Sequence, residues 1–257
     1  MKTELEAFDR LSTILDELRE KCPWDKKQTI HSLRYLTIEE VYELSDAIID
    51  NNYEEMKKEL GDILMHILFY SKIANDEKRF DLTDVLNSIC EKLIRRHPHI
   101  YGDVEAKDDE AVKQNWEKIK MTEGRTSVLD GVPNSLPAMV KAVRMQEKVR
   151  GIGFDWDNEA QVREKVWEEW DELQAELAKD DKDNIEAEFG DFLFAIINWS
   201  RFIGVNPEDA LERTNKKFKN RFQYMEKKSR EEGRLLSDMT LAEMDVWWNE
   251  AKKLLND

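Results

Sequence analysis

Apolar residues return every three or four positions in long runs along this chain, the period of one buried helical face. The run Val41, Leu44, Ile48 is one such stripe, and Glu40 and Glu43 lie beside it on the same helix. The pattern predicts helices near 3–20, 29–50, 53–75, 82–96 and 109–120, then near 136–149, 159–179, 183–203, 207–229 and 240–254. Between the two sets, "TEGRTSVLDGVPNSLP" carries Gly124, Gly131, Pro133 and Pro137, which interrupt any helical period. An all-α chain follows, with one helical domain over 1–122, a linker over 123–137 and a second helical domain over 138–257.

The second set of helices repeats the first. At an offset of 129, residues 38–68 and 167–197 share nine identities in 31 positions. Five of the nine are acids: Glu39/Glu168, Glu40/Glu169, Glu43/Glu172, Glu59/Glu188 and Asp62/Asp191. Weaker echoes follow in "KLIRR" against "KFKNR" and in "NWEKIK" against "WWNEAK". An internal duplication accounts for them.

Composition narrows the function classes. The 257 residues are 40% hydrophobic with eight tryptophans, enough for sizeable cores, and 37% charged. A formal charge of −16 excludes a general binder of nucleic-acid polymers, whose phosphates demand basic surfaces, and disfavours anionic membranes. It suits a protein that collects divalent cations. Cys22 and Cys90 show no CxxC or Cys/His spacing and read as reduced thiols of a cytoplasmic protein. The N-terminal stretch is amphipathic and acidic, with no hydrophobic signal region, and "FLFAIINW" is too short to span a bilayer.

Residues three or four apart share a helical face, so Glu40 and Glu43 project together, as do Glu59 and Asp62 on the next helix. A short turn makes the two helices antiparallel, and four carboxylates then surround one small volume. Solvated surface acids are the ordinary reading of such a pattern. Two features weigh against it. Each second pair leads into a helix apolar all round, "ILMHILFY" or "FLFAIINW", which points to burial, and both copies keep the same register. Clustered anions at a dry core cost several kcal/mol each unless compensated, and a hard divalent cation with oxygen ligands compensates them.

The pattern EExxE, fifteen residues, ExxD, together with "CPWDKKQT", "RRHPHIYGD", "NWEKIK" and the paired layout, resembles MazG-type nucleoside triphosphate pyrophosphohydrolases over nearly the whole chain. That resemblance implies all-α, dimeric, Mg²⁺-dependent enzymes, with Mn²⁺ as a substitute ion, that cleave between the α- and β-phosphates. It implies metal ligands Glu40, Glu43, Glu59 and Asp62 in the first copy, and Glu169, Glu172, Glu188 and Asp191 in the second. The leading Glu39 and Glu168 fit the role of orienting, or taking a proton from, the attacking water. Four-helix packing is then completed across a two-fold homodimer, and clearing of unwanted nucleotides is the associated role.

A polyanionic substrate also needs basic groups. The second copy offers Lys165, one turn before Glu169, and Lys217 and Arg221, four apart on one face; the first offers Lys92 and Arg96. Pairing with the surplus surface acids is the competing reading for each of them. Trp248, and Trp116 in the first copy, match the family's late tryptophan and suit stacking on a base, although both could be core and adjacent Trp247 leaves the register open. Trp24 and Trp156, each followed by aspartate, are expected to fix the loops that enter the acidic helices. His66 is expected to be a satisfied buried histidine, since its counterpart is Ala195; His97 and His99 suit capping or packing. Two other functions remain open on the residues: a narrower pyrophosphohydrolase of dUTP or phosphoribosyl-ATP, and a non-enzymatic helical interaction protein that binds structural cations.

Overall fold

The computed structural model describes residues 3–105, 112, 115, 116, 119, 123, 124 and 126–255. The helix expected over 109–120 lies outside the described residues apart from Val112, Asn115, Trp116 and Ile119. Two compact units divide the chain, Met1–Val112 and Lys113–Asp257. Among the described residues the regular structure is entirely helical.

The first unit contains α1 (Glu4–Lys21), α2 (Ile30–Ile49), α3 (Tyr53–Asp76), α4 (Leu82–Arg96) and the single turn α5 (Pro98–Tyr101). Side-chain caps set the starts. Thr3 caps α1 with Glu6 returning the bond, Thr29 caps α2, Asn52 caps α3 and Asp81 caps α4. Leu15, Leu33, Leu68, Phe69 and Ile73, from α1, α2 and α3, form the buried core, with Phe8, Leu11 and Met65 packed against it. His97 ends α4, with its Nδ1 2.6 Å from the Leu93 carbonyl oxygen.

The second unit contains α6 (Ala138–Arg150), α7 (Glu159–Lys179), α8 (Lys182–Phe202), α9 (Pro207–Glu232) and α10 (Leu241–Leu254). Helix α7 packs on α8, α6 on α8, and α9 on α10. The turn Val128–Gly131, within the expected linker, packs on α6. Val162, Val166 and Leu173 of α7 are buried together with Ala195 and Ile197 of α8. A separate cluster of Met225, Met239 and Trp247 joins α9 to α10.

The duplication is visible in the backbone as well. The α2–α3 and α7–α8 turns each carry one left-handed residue, Asn51 (φ 53°) and Asp180 (φ 55°), which stand in register. Short polar side chains tolerate that conformation better than other non-glycine residues. The next residues, Asn52 and Asp181, cap the following helices. Both hairpins therefore turn in the same way and bring their acids to matching places.

Two expectations are corrected. The apolar stretches of α3 and α8 are buried on one side only: Leu64 and Ile67, and likewise Leu193 and Phe194, remain exposed. The tryptophans do not fix the loops by burial either, since Trp24 is 58% exposed and Trp156 42%. Arginines hold those loops instead. Arg19 Nη1 donates to the carbonyls of Asp25 and Gln28, each at 2.8 Å, and Arg201 forks onto both carboxylate oxygens of Asp155. A planar fork with several fixed donors suits that task.

Candidate active site

Each helical hairpin gathers three glutamates. Ligating oxygens of Glu40, Glu43 and Glu59 all lie within 4.8 Å of one another, and so do those of Glu169, Glu172 and Glu188. The i,i+3 spacing supplies two members from α2 or α7, and the antiparallel partner helix supplies the third. Asp62 and Asp191 fall outside these trios. Asp62 still acts on its neighbours by charge, and Asp191 lines a cavity with Glu169 and Lys165. Glu39 and Glu168 also stand outside the trios and are exposed.

The electrostatics of the trios are unfavourable to anions left alone. Glu59 is only 5% exposed and Glu169 only 7%. Burial first, and then the negative charges of the other acids, push Glu40 and Glu43 above the usual carboxylate range. Glu59 is raised by burial and then by a hydrogen bond with Glu40. In the second unit burial and the charge of Glu169 raise Glu172, while Lys165 opposes them. The Lys165 ammonium sits 2.8 Å from both Glu168 Oε1 and Glu169 Oε1, and these bonds hold it strongly protonated.

A hard divalent cation fits this donor set. The oxygens are all carboxylate, converge from two helices and lie in partial burial, the ligand chemistry that Mg²⁺ or Mn²⁺ prefers. Glu188 adds an independent sign: its Oε2 is buried and meets no hydrogen-bond partner. An orphaned carboxylate oxygen is costly, and a metal ion satisfies it.

The remaining sequence-derived residues sort into separate groups. Arg221 lies over the Trp248 ring at 5.5 Å, and Phe218 packs on the same ring at 5.2 Å. Trp247, 7% exposed, is buried in the α9–α10 cluster, and half-buried Trp248 packs against the edge of the same cluster. Lys217 is half-buried on α9, one turn before Arg221. In the first unit Lys92 is exposed and Arg96 half-buried at the end of α4; Trp116 is half-buried. His66 is buried as expected, but its Nδ1 has no hydrogen-bond partner, so it is not satisfied. Burial lowers its pKa against the pull of Asp62 and keeps the ring neutral.

Sequence reasoning missed one feature. Beside the second trio lies a mostly apolar cavity of about 530 Å³, with Phe154, Trp156, Phe194 and Ala195 in its walls and Gln146 among its lining residues. The available signal was a glutamine on the buried stripe of α6, four residues after buried Ala142.

Two antiparallel hairpins, each closing on a carboxylate trio and repeated within one helical chain, define a tandem all-α protein with an acidic site in each half. The chain belongs to the MazG nucleotide pyrophosphohydrolase family, whose domain it matches at residues 28–101 and again at 158–225. It is similar to the nucleoside triphosphate pyrophosphohydrolase of Escherichia coli strain K12, at 38% identity over 97% of this chain and 98% of that protein. It is 42% identical to the nucleoside triphosphate pyrophosphohydrolase/pyrophosphatase MazG of Thermotoga maritima, over 95% of each chain. A further relative is the uncharacterized protein YabN of Bacillus subtilis, 46% identical over 96% of this chain and 52% of that longer protein.

Proposed function

We propose that this chain hydrolyses nucleoside and deoxynucleoside triphosphates between the α- and β-phosphates, releasing a monophosphate and pyrophosphate, with Mg²⁺ or Mn²⁺ held by its glutamate trios. The observation that carries this reading is the second trio: three carboxylates within 4.8 Å, one with a buried orphan oxygen, beside a lysine. Family membership supplies the reaction class.

Glu169, Glu172 and Glu188 would hold the ion, with Asp191 adjoining, and Glu40, Glu43, Glu59 and Asp62 are their counterparts in the first unit. Bound there, the ion neutralises phosphate charge and lowers the pKa of the attacking water. The chain's own residues do the rest. Lys165, anchored by Glu168 and Glu169, presents an ammonium to the phosphate oxygens. Glu168, exposed and one turn away, accepts the proton of the water that attacks the α-phosphorus; Glu39 stands in the same position in the first unit. Lys217, Arg221 and Trp248 offer a basic and aromatic face suited to the sugar and the outer phosphates of a nucleotide. Such catalysis rests on positioning and electrostatics, so no nucleophilic side chain is required.

The reading extends to a homodimer. Leu64, Ile67, Leu193 and Phe194 leave apolar surface uncovered on the hairpin helices. Gly61 and Gly190, in register inside α3 and α8, would meet nothing within 4 Å if given a Cβ. A mid-helix glycine costs up to about 1 kcal/mol, and close approach of a second chain is a reason to keep it. Free Cys22 and Cys90 fit a cytoplasmic setting, and removal of unwanted nucleotides is the role we assign there.

The test is pyrophosphate release from a panel of canonical and modified triphosphates, with Mg²⁺ and with chelator. Glu172→Gln and Asp191→Asn are expected to abolish release while leaving helicity intact. Full activity in those variants and in Glu43→Gln and Asp62→Asn would overturn the site. Cation binding without turnover of any triphosphate would favour a structural role instead.

A further inference from the structure

The cavity beside the second trio has a mixed lining. The charged Lys165, Glu169 and Asp191 and the Asp155–Arg201 ion pair border it together with the apolar Met145, Val149, Phe154, Trp156 and Phe194. At about 530 Å³ it lies within the roughly 300–1,000 Å³ of small-molecule sites. Trio-side charges and aromatic walls bordering one cavity match a molecule that carries a phosphate tail and a flat ring.

Gln146 is a buried polar residue of that lining. It is 5% exposed, and its Nε2 donates to the Phe194 carbonyl at 2.9 Å. That carbonyl fixes the amide orientation, because only the NH₂ end can donate to it. The opposite end, Oε1, is buried and has no hydrogen-bond partner. A buried acceptor left unmade costs about 1–3 kcal/mol, so the site is incomplete without a donor. Asn198 lines the same cavity, and its Oδ1 is already taken by Arg201, which leaves its NH₂ end to donate. An acceptor and a donor from neighbouring amides complement the hydrogen-bonding edge of a nucleobase.

The first unit differs at this place. His66 stands in register with Ala195 and is 4% exposed, so an imidazole occupies the position where the second unit has only a methyl group beside its cavity. The duplicated acids are shared by the two units, whereas the side chain at this position is not.

Resting on the proposed triphosphate chemistry, we propose that the second unit's cavity receives the nucleobase and that Gln146 Oε1 accepts a hydrogen bond from an N–H on the base edge. Gln146 is thereby a specificity-determining residue. A site built to bond a substrate N–H rejects the analogue lacking it, because its own polar group is then left unpaired.

The experiment compares substrate pairs in which methyl replaces N–H on the base edge: UTP with 3-methyl-UTP, GTP with 1-methyl-GTP, and ATP with N6,N6-dimethyl-ATP. Wild-type enzyme is expected to disfavour the methylated member of at least one pair tenfold or more in kcat/KM, mainly through KM. In Gln146→Met, of similar volume but with no such acceptor, the unmethylated substrate falls to the level of its analogue. Gln146→Leu serves the same purpose should the methionine variant melt early. Equal treatment of every pair by the wild type overturns the inference, as does discrimination that persists undiminished in the variants, since that is steric rejection alone. In either case pyrophosphate release from the unmethylated substrates leaves the triphosphate reading standing. Absence of release from all of them removes that reading first.

Discussion

Lys165 Nζ lies 2.8 Å from Glu169 Oε1, one helical turn further along α7. The most buried acid of the second trio is thus bonded to a cation from its own helix. Lys165 also opposes the upward push that burial and Glu169 exert on Glu172. In the proposed reaction the ammonium would compete with the metal ion for this carboxylate and would also present its charge to the phosphates.

Lys165→Met separates these roles because they move in opposite directions. Without the ammonium, Mg²⁺ titrated calorimetrically in the absence of nucleotide should bind more tightly. The kcat/KM for triphosphate hydrolysis should fall by roughly 10- to 100-fold, the loss expected for one charge-assisted contact to phosphate. Weaker metal binding in the variant would mean that Lys165 organises the trio rather than competing for it.

The raised carboxylates fix a second outcome. Glu40, Glu43, Glu59 and Glu172 hold protons more tightly in the folded chain than at their ordinary value of 4.5. Their contribution to stability is therefore complete below that value and is lost as pH rises through the raised folded values. In chelator, the melting temperature should decline from about pH 4.5 toward neutrality. Mg²⁺ should restore it near neutral pH and do little in acid, where protons already occupy the oxygens. Glu59→Gln should reduce both the pH dependence and the Mg²⁺ response. A melting temperature indifferent to Mg²⁺ at neutral pH would count against metal occupancy.

How much of this was legible in the sequence depends on what each residue answers to. The α2–α3 and α7–α8 hairpins were legible because periodicity and capping residues act locally: Asn52 and Asp181 start α3 and α8 by bonding their own backbone. The carboxylate trios were legible because i,i+3 spacing and a short turn determine them. Asp62 and Asp191 were grouped with the trios by spacing, yet spacing does not say which rotamer reaches the common volume. Gln146 was missed because its meaning comes from Phe194, 48 residues away, whose carbonyl orients its amide. The loop anchors were misread for the same reason. Arg201 reaches back 46 residues to Asp155, and nothing adjacent to either residue announces the pair.

The adjacent tryptophans of α10 give different outcomes. Trp247 is buried against Met225 and Met239, so Trp247→Ala should cost about 3–5 kcal/mol in chemical denaturation. Trp248 is half-buried, packs against the edge of that cluster and also meets Arg221 and Phe218. Trp248→Ala should therefore cost less stability than Trp247→Ala and raise KM for triphosphates severalfold. A KM unchanged in Trp248→Ala would remove that ring from the substrate face.

Glu243 closes the start of the same helix. Its Oε2 accepts from the Thr240 backbone N–H at 2.8 Å, and its Oε1 accepts from Arg234 Nη2 at 2.6 Å. The Thr240 backbone bond first, and then those of Arg234 and the Thr240 hydroxyl, hold this carboxyl down at about 2 against its ordinary 4.5. A depressed value means that the ionised form is the one the fold binds, so its contribution is present above 4.5 and is lost as pH falls through about 2. The sign is opposite to that of the trio acids, and the two can be told apart within one protein. Glu243→Gln should therefore destabilise α10 at neutral pH, read as earlier solvent exposure of Trp247 in a denaturant titration. The gap from wild type should narrow steadily in acid and close near the bottom of that window. A gap that stays constant across the range would show that the neutral amide's poorer capping, and not the carboxylate's charge, sets the loss.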